Sequence, residues 1–174
     1  MKKSFVILIV WILVFGMTGC SICGGEPTTE ATVYAPDLTF QTMDGGTVKL
    51  SELMGKPVFL NFWASWCSPI KTEMPLFQEK YEELGDKVEF VVVCLVDGLT
   101  ETVETGKAYI QEKGYTFPVY FDTTNQANEI YGVNAIPTSF FIAPDGAVLA
   151  YCTGPLTEEN FDEGIRRVTT AADA

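Results

Sequence analysis

Apolar and polar residues alternate along the chain in blocks whose period changes several times. Residues 57–63 and 89–96 are almost continuously apolar over the length of a strand, which is typical of strands covered on both faces. Apolar residues recur at helical spacing over 70–84, and the segments 101–113 and 124–131 also favour helices. This alternation of strands and helices predicts βαβ units with parallel strands.

Short hairpins are predicted on both sides of these units. Residues 43–46 have the turn sequence Met-Asp-Gly-Gly, and residues 143–146 have the turn sequence Ala-Pro-Asp-Gly between two β-type runs. A final helix is predicted from Thr157, with acidic residues near its start and arginines near its end. The pattern as a whole predicts an α/β fold whose central sheet mixes parallel and antiparallel strands.

The beginning of the chain has a different pattern. Two lysines precede an apolar run at 5–15, which is typical of an export signal and too short to span a bilayer comfortably. Residues 20–35 are rich in Gly, Thr, Glu and Pro, so we expect a flexible tether there. The predicted organisation is a signal peptide at 1–19, then the tether, then one globular domain at 36–174.

The signal segment closes with Met17-Thr18-Gly19-Cys20, which resembles the lipobox of bacterial lipoproteins. In those proteins cleavage before the cysteine leaves it as the acylated N-terminus, so the resemblance implies that Cys20 carries a lipid anchor. The alternative is a plain secretory signal with an incidental cysteine. Both interpretations imply an extracytoplasmic location, and the lipobox adds attachment to a membrane of the bacterial cell envelope.

Composition limits the functions that are possible. The 174-residue chain has a formal net charge of -12, so nucleic acid is not an expected partner. The absence of histidine excludes Ser-His-Asp triads, Cys-His dyads and His-ligated metal sites. The spacing of the five cysteines predicts no zinc site, and we expect neither a metal nor a cofactor. Acid-base chemistry is left to carboxylates, thiols and lysines.

The candidate chemistry centres on Cys67, which follows the strand at 57–63 and is predicted to open the next helix. A helix N-terminus carries partial positive charge and unpaired amide donors, which favour the nucleophilic thiolate. Ser68 and Pro69 suit a first helical turn. Ile70 stands where a Cys-x-x-Cys redox motif has its second cysteine. The alternative interpretation of Cys67 is a buried structural thiol.

Several separated segments together resemble thioredoxin. They are Phe62-Trp63-Ala64-Ser65-Trp66-Cys67, Glu73-Met74-Pro75, Val133-Asn134-Ala135-Ile136-Pro137-Thr138, and the terminal hairpin with its helix. With the lipobox and the lead-in Ala35-Pro36-Asp37-Leu38, the chain is identified as a member of the membrane-anchored, TlpA-like thiol:disulfide oxidoreductases. The resemblance extends from Pro36 to the last helix. It implies a three-layer thioredoxin-like fold with an extra N-terminal hairpin.

The resemblance also implies roles for individual residues. The residues implied to form the substrate groove beside Cys67 are Trp66, Ser68, Pro69, Ile136 and Pro137, with a cis bond before the proline. Glu73 matches an acid that TlpA-like proteins place near the active site, where it would relay protons. The alternative for Glu73 is a solvated helix glutamate. Asn61 stands where many thioredoxins keep a buried aspartate, and a neutral amide cannot act as that base.

Ile70 leaves several functions open. In a monothiol oxidoreductase, Cys67 would form mixed disulfides that Cys23 or another thiol resolves. Its partners would be envelope proteins or small molecules with thiols or disulfides, and a membrane thiol reductant. A degenerate module would instead bind cysteine-containing or unfolded proteins. A variant made to trap mixed disulfides would also explain Ile70. A peroxiredoxin-like peroxidase is disfavoured because Ala64 stands where that family has threonine, and both arginines lie in the last helix.

Overall fold

The computed structural model describes residues 32–172, which form a seven-stranded mixed sheet with helices on both faces. The predicted signal peptide, Cys20, Cys23 and most of the predicted tether lie outside the described residues. Within the described range, no helix is long and apolar enough to cross a membrane.

The elements follow the predicted order. The strands are β1 (Thr39–Thr42), β2 (Thr47–Lys49), β3 (Val58–Trp63), β4 (Glu89–Leu95), β5 (Val119–Asp122), β6 (Thr138–Ile142) and β7 (Val148–Thr153). The helices are α1 (Ile70–Leu84), α2 (Val103–Lys113), α3 (Gln126–Tyr131) and α4 (Glu158–Ala172). Across the sheet the strand order is β2-β1-β5-β4-β3-β6-β7, and β3, β4 and β5 run parallel while the other pairs are antiparallel. The predicted α/β class, mixed sheet and N-terminal hairpin are therefore confirmed.

Strand β3 lies inside the sheet, between β4 and β6, and leads into the segment that contains Cys67. All six of its residues are buried. Because successive side chains of a strand point to opposite faces, Phe59 and Trp63 pack in the core under α1, α2 and α4, whereas Leu60 and Phe62 pack in the core that includes α3. The continuous apolar run of the sequence thus reflects burial on both faces of the sheet. Because β3 is packed on both faces, its end, which precedes Cys67, is held firmly in place.

The chain enters the domain slightly earlier than the composition predicts. Tyr34, in the predicted tether, forms an isolated antiparallel bridge with Ala147, which directly precedes β7. The N–H of Val148 also donates to the carbonyl of Val33 at 2.8 Å. Backbone pairing, which composition does not reveal, therefore makes residues 33–35 part of the folded domain.

Gly164 of α4 lies directly against the ring of Phe141 on β6. A Cβ atom at this position would lie 2.5 Å from two carbons of that ring. The ring cannot easily move, because Phe59 and Phe161 pack against it. We expect Gly164→Ala to lower the free energy of unfolding by about 2–3 kcal/mol, although alanine favours helix more than glycine does.

Urea denaturation measures this loss. The exposed Thr170→Ala on the same helix serves as the control and should change stability by less than about 0.5 kcal/mol. A Gly164→Ala protein as stable as the wild type would mean that the Phe141 ring and its aromatic neighbours can shift without loss of stability.

Candidate active site

Cys67 lies in the turn between β3 and α1, on the side of the sheet where the C-terminal ends of the parallel strands β3, β4 and β5 lie. Its N–H donates to the carbonyl of Ala64 at 3.0 Å, which closes the turn. The sequence predicts that Cys67 opens the helix, but α1 begins at Ile70, with Pro69 as the N-cap. The cysteine therefore immediately precedes the helix instead of forming part of it.

The structure brings Cys67 against the segment before Pro137. The Cys67 side chain is only 5% exposed, and its thiol donates to the carbonyl of Ile136 with an Sγ–O distance of 3.5 Å. The Ile136-Pro137 peptide bond is cis, so the predicted isomer is confirmed. Two segments 69 residues apart in the sequence thus meet at one sulfur atom.

A groove of about 640 Å³ adjoins the β3–α1 turn. Trp66, whose side chain is 53% exposed, and Ile136 are predicted groove residues that line it. The other predicted groove residues are outside its lining: Ser68 is exposed, Pro69 is partly exposed and Pro137 is buried. The rest of the lining includes residues 133–135, which directly precede Ile136, and residues that follow β4 and β5, which the sequence pattern did not single out.

Ile70 is fully buried at the start of α1 and belongs to the same core cluster as Cys67. Among the described residues, the free thiols are Cys67 and Cys94. Cys94 is fully buried in β4, and this burial, together with the neighbouring Glu101, raises the pKa of its thiol well above the usual value. A thiol that stays protonated is a weak nucleophile. Cys94 is therefore poorly suited to resolve a disulfide on Cys67.

Glu73 is buried within α1, one turn after Ile70 and on the same side of the helix. One carboxyl oxygen, Oε1, accepts a hydrogen bond from the N–H of Leu156, while Oε2 has no hydrogen-bond partner among the described residues. Burial raises the pKa of Glu73 to about 7, against the opposing effect of the Leu156 N–H. The solvated alternative is therefore wrong. Within residues 32–172, however, Glu73 forms no hydrogen bond with Cys67.

The raised pKa of Glu73 makes stability depend on pH. The folded protein holds the Glu73 proton more tightly than the unfolded chain does. The contribution of this proton to the free energy of unfolding is therefore fully present below pH 4.5 and is lost as the pH rises to about 7. The loss is about 3 kcal/mol at about 1.4 kcal/mol per pH unit. We expect Glu73→Gln, which cannot titrate, to gain stability relative to the wild type across this interval.

Urea denaturation at several pH values measures the difference. Glu79→Gln, an exposed change on the same helix, should keep the wild-type pH dependence. Parallel stability curves for Glu73→Gln and the wild type would contradict the assignment of the raised pKa to Glu73.

Glu101 is a second buried carboxyl at this site, and the sequence pattern missed it. It is 1% exposed, and its Oε2 accepts hydrogen bonds from the N–H and the hydroxyl of Ser65 at 2.6 and 2.7 Å. The pattern placed Glu101 inside a helix, but α2 begins at Val103 because Thr102 caps it. No local signal reveals the contact, since 36 residues separate Glu101 from Ser65.

Several known proteins are similar to this chain in sequence and in fold. The AhpC/TSA family profile matches residues 32–151. The thiol-disulfide oxidoreductase ResA of Oceanobacillus iheyensis is 37% identical over 165 residues, which cover 92% of this chain and 84% of that protein. StoA of Bacillus subtilis is 30% identical with a TM-score of 0.64, covering 77% of this chain and 98% of that chain. The exposed lipoprotein thioredoxin Etrx1 of Streptococcus pneumoniae is 30% identical with a TM-score of 0.66, covering 75% and 98%.

Proposed function

Because the chain belongs to the AhpC/TSA family and has the thioredoxin-like fold of the thiol-disulfide oxidoreductases it resembles, we propose that it exchanges disulfides through one nucleophile, Cys67. The observation that carries this proposal is the position of Cys67 between β3 and α1, with its Sγ 3.5 Å from the Ile136 carbonyl. Ile70 supports a monothiol mechanism, because a buried aliphatic side chain supplies no second thiol.

The proposed reaction has two steps. The Cys67 thiolate attacks one sulfur of a substrate disulfide, so that a Cys67–substrate disulfide forms and the other substrate sulfur leaves as a thiolate. An external thiolate then attacks the substrate sulfur of this mixed disulfide and releases the Cys67 thiolate. The result is exchange of the partners of a disulfide, with no net gain or loss of electrons by the protein.

Two features support roles for the residues around Cys67. Glu73 has a pKa of about 7, and its Oε2 accepts no hydrogen bond from the part of the chain that the structure describes, so it is suited to accept and return a proton near neutral pH. Trp66 and Ile136 line the groove beside the turn, and they are suited to contact the chain that carries the substrate disulfide. The exposed Ser68 and the partly exposed Pro69 are proposed to extend this substrate surface, whereas the buried Pro137 would only shape it.

The proposal includes an extracytoplasmic location and a lipid anchor on Cys20. The lipobox-like sequence at 17–20 supports both, as does the similarity to a solved structure described as an exposed lipoprotein thioredoxin. Proposed partners are envelope proteins or small molecules with thiols or disulfides, a membrane thiol reductant, and the bilayer itself.

A second candidate is a binding module that has lost its redox activity. Ile70 favours it, because the position that would resolve a mixed disulfide is occupied by a core residue. Such a module would hold cysteine-containing or unfolded proteins in the groove without forming covalent adducts.

Covalent trapping separates the two candidates. The full chain is incubated with a disulfide-linked peptide dimer and analysed by mass spectrometry without reduction. We expect a peptide adduct on Cys67, formed equally well by Cys94→Ala and released by added glutathione. Binding of the peptide without any adduct would instead favour the binding module.

A further inference from the structure

We propose that Glu101 is a positioning residue that holds the turn carrying Cys67 closed over the cysteine sulfur. The inference rests on the proposed function only in taking Cys67 as the nucleophile. The shielding of the Cys67 sulfur from solvent can be measured without any disulfide substrate.

The Glu101 carboxyl accepts hydrogen bonds from the active-site turn and from α2, and it also contacts the thiol of Cys94 on β4. Oε2 accepts both donors of Ser65, which lies two residues before Cys67, and Oε1 accepts the hydroxyl of Thr105 at 2.7 Å. No salt bridge to Glu101 exists among the described residues. A buried carboxyl without a cation depends on its hydrogen bonds, so these three contacts are costly to break.

The loop before Glu101 is built to present it. The Oδ1 atom of Asp97 accepts the N–H groups of Leu99, Thr100 and Glu101 at 2.7 to 2.9 Å. In return, the Glu101 carbonyl accepts the N–H groups of Asp97 and Gly98 at 3.1 Å. These hydrogen bonds thus join the two ends of the loop at 97–101. Because Asp97 also lines the groove, the loop connects the groove wall to the nucleophile turn.

Close packing leaves the Glu101 carboxyl little freedom to move. A Cβ atom added at Gly106 of α2 would lie 3.5 Å from Glu101 Oε1 and 2.9 Å from the sulfur of Cys94. Glycine therefore lets α2 approach β4 closely, with the carboxyl enclosed between the helix and the turn. The fixed carboxyl holds Ser65 within the turn that the Cys67 N–H closes on the Ala64 carbonyl, and Cys67 at the end of this turn is only 5% exposed.

The test measures how fast iodoacetamide alkylates Cys67, followed by peptide mass spectrometry on the full chain. Glu101→Ala removes two hydrogen bonds from Ser65, so we expect the turn to open more often and Cys67 to react about tenfold faster. Ser65→Ala loses only the hydroxyl contact and should react at an intermediate rate. Glu101→Gln keeps an amide oxygen that can accept from Ser65, so its rate should stay within about threefold of the wild type.

Two controls separate positioning from general destabilisation. Glu104→Gln changes an exposed neighbour and should leave the rate unchanged. Leu50→Ala empties a buried site in the core on the other face of the sheet, and its loss of stability is compared with that of Glu101→Ala. If Cys67 accelerates as much in Leu50→Ala, or not at all in Glu101→Ala and Ser65→Ala, the positioning role is overturned.

The outcome is independent of the proposed function. A wild-type protein that forms no adduct with the peptide dimer would overturn disulfide exchange, yet the alkylation rates would still test Glu101. Conversely, normal exchange with unchanged alkylation in all Glu101 and Ser65 variants would overturn the positioning role alone.

Discussion

Cys67→Ser is expected to reduce disulfide exchange to the rate measured without protein. A serine hydroxyl does not ionise near neutral pH, and an oxygen nucleophile cannot form a disulfide with the substrate. The fold should remain, because Cys67 lies in a turn and the polar contact of its side chain with the Ile136 carbonyl is one that a hydroxyl can also make. The measurement is the rate at which a disulfide-linked peptide dimer exchanges with glutathione.

Cys94→Ala is the matched control for this result. It removes the other free thiol of the described residues, which is fully buried, and it should leave exchange unchanged. If Cys67→Ser retained wild-type exchange, a cysteine other than Cys67 would be the nucleophile and the proposed mechanism would be wrong. If wild type and Cys67→Ser were equally inactive but bound the peptide equally, the binding module would be the better description.

The framework of the site could be predicted because it depends on local patterns. The apolar run of β3 predicts a buried strand, and the change to helical spacing after it predicts a turn near Cys67. The cis bond at Pro137 came from the resemblance, not from any periodicity in the sequence. The start of α1 was misplaced by only three residues, since proline at 69 suits a helix entry and the pattern does not fix which residue begins the helix.

The hydrogen bonds of the buried polar residues near the site could not be predicted, because each joins distant segments of the chain. Glu73 accepts a hydrogen bond from the N–H of Leu156, 83 residues away, and Glu101 accepts one from the N–H of Ser65, 36 residues away. A glutamate in a helical stretch looks solvated unless its distant partner is known. Asn61 shows the same limit: its amide N–H donates to Ser139 at 3.0 Å, from a strand far along the chain.

These contacts suggest a division of labour around the nucleophile. In β3 the buried Asn61 contributes no charge, while two of the buried carboxyls lie on the flanking elements, Glu73 in α1 and Glu101 before α2. Glu73 is suited to exchange protons because one of its oxygens has no hydrogen-bond partner within residues 32–172, whereas both oxygens of Glu101 accept hydrogen bonds. Proton exchange and positioning would thus fall to different residues.

Ile70→Cys is expected to turn a protein that accumulates adducts into one that releases them. The introduced thiol would attack the Cys67 sulfur of the mixed disulfide, so that an internal disulfide forms and the substrate leaves as a thiolate. An intramolecular thiol acts at a high effective concentration, so we expect the adduct lifetime to fall by about a hundredfold or more. Mass spectrometry would show the adduct replaced by a chain two hydrogen atoms lighter.

The cost in stability should be moderate. Ile70 is fully buried at the start of α1, so a smaller side chain leaves space in the core and should lower the free energy of unfolding by about 1–3 kcal/mol. Ile70→Ala opens comparable space without a thiol, and its adduct should persist as in the wild type.

The comparison of these two variants decides what limits release. A short-lived adduct in Ile70→Cys alone would mean that the missing thiol is the cause, because the fold already presents the Cys67 sulfur to position 70. Short lifetimes in both variants would attribute release to loosened packing around the turn. A persistent adduct in both would mean that the helix start cannot bring a thiol at position 70 into line with the Cys67 sulfur, and Ile70 would then be a core residue without bearing on the redox chemistry.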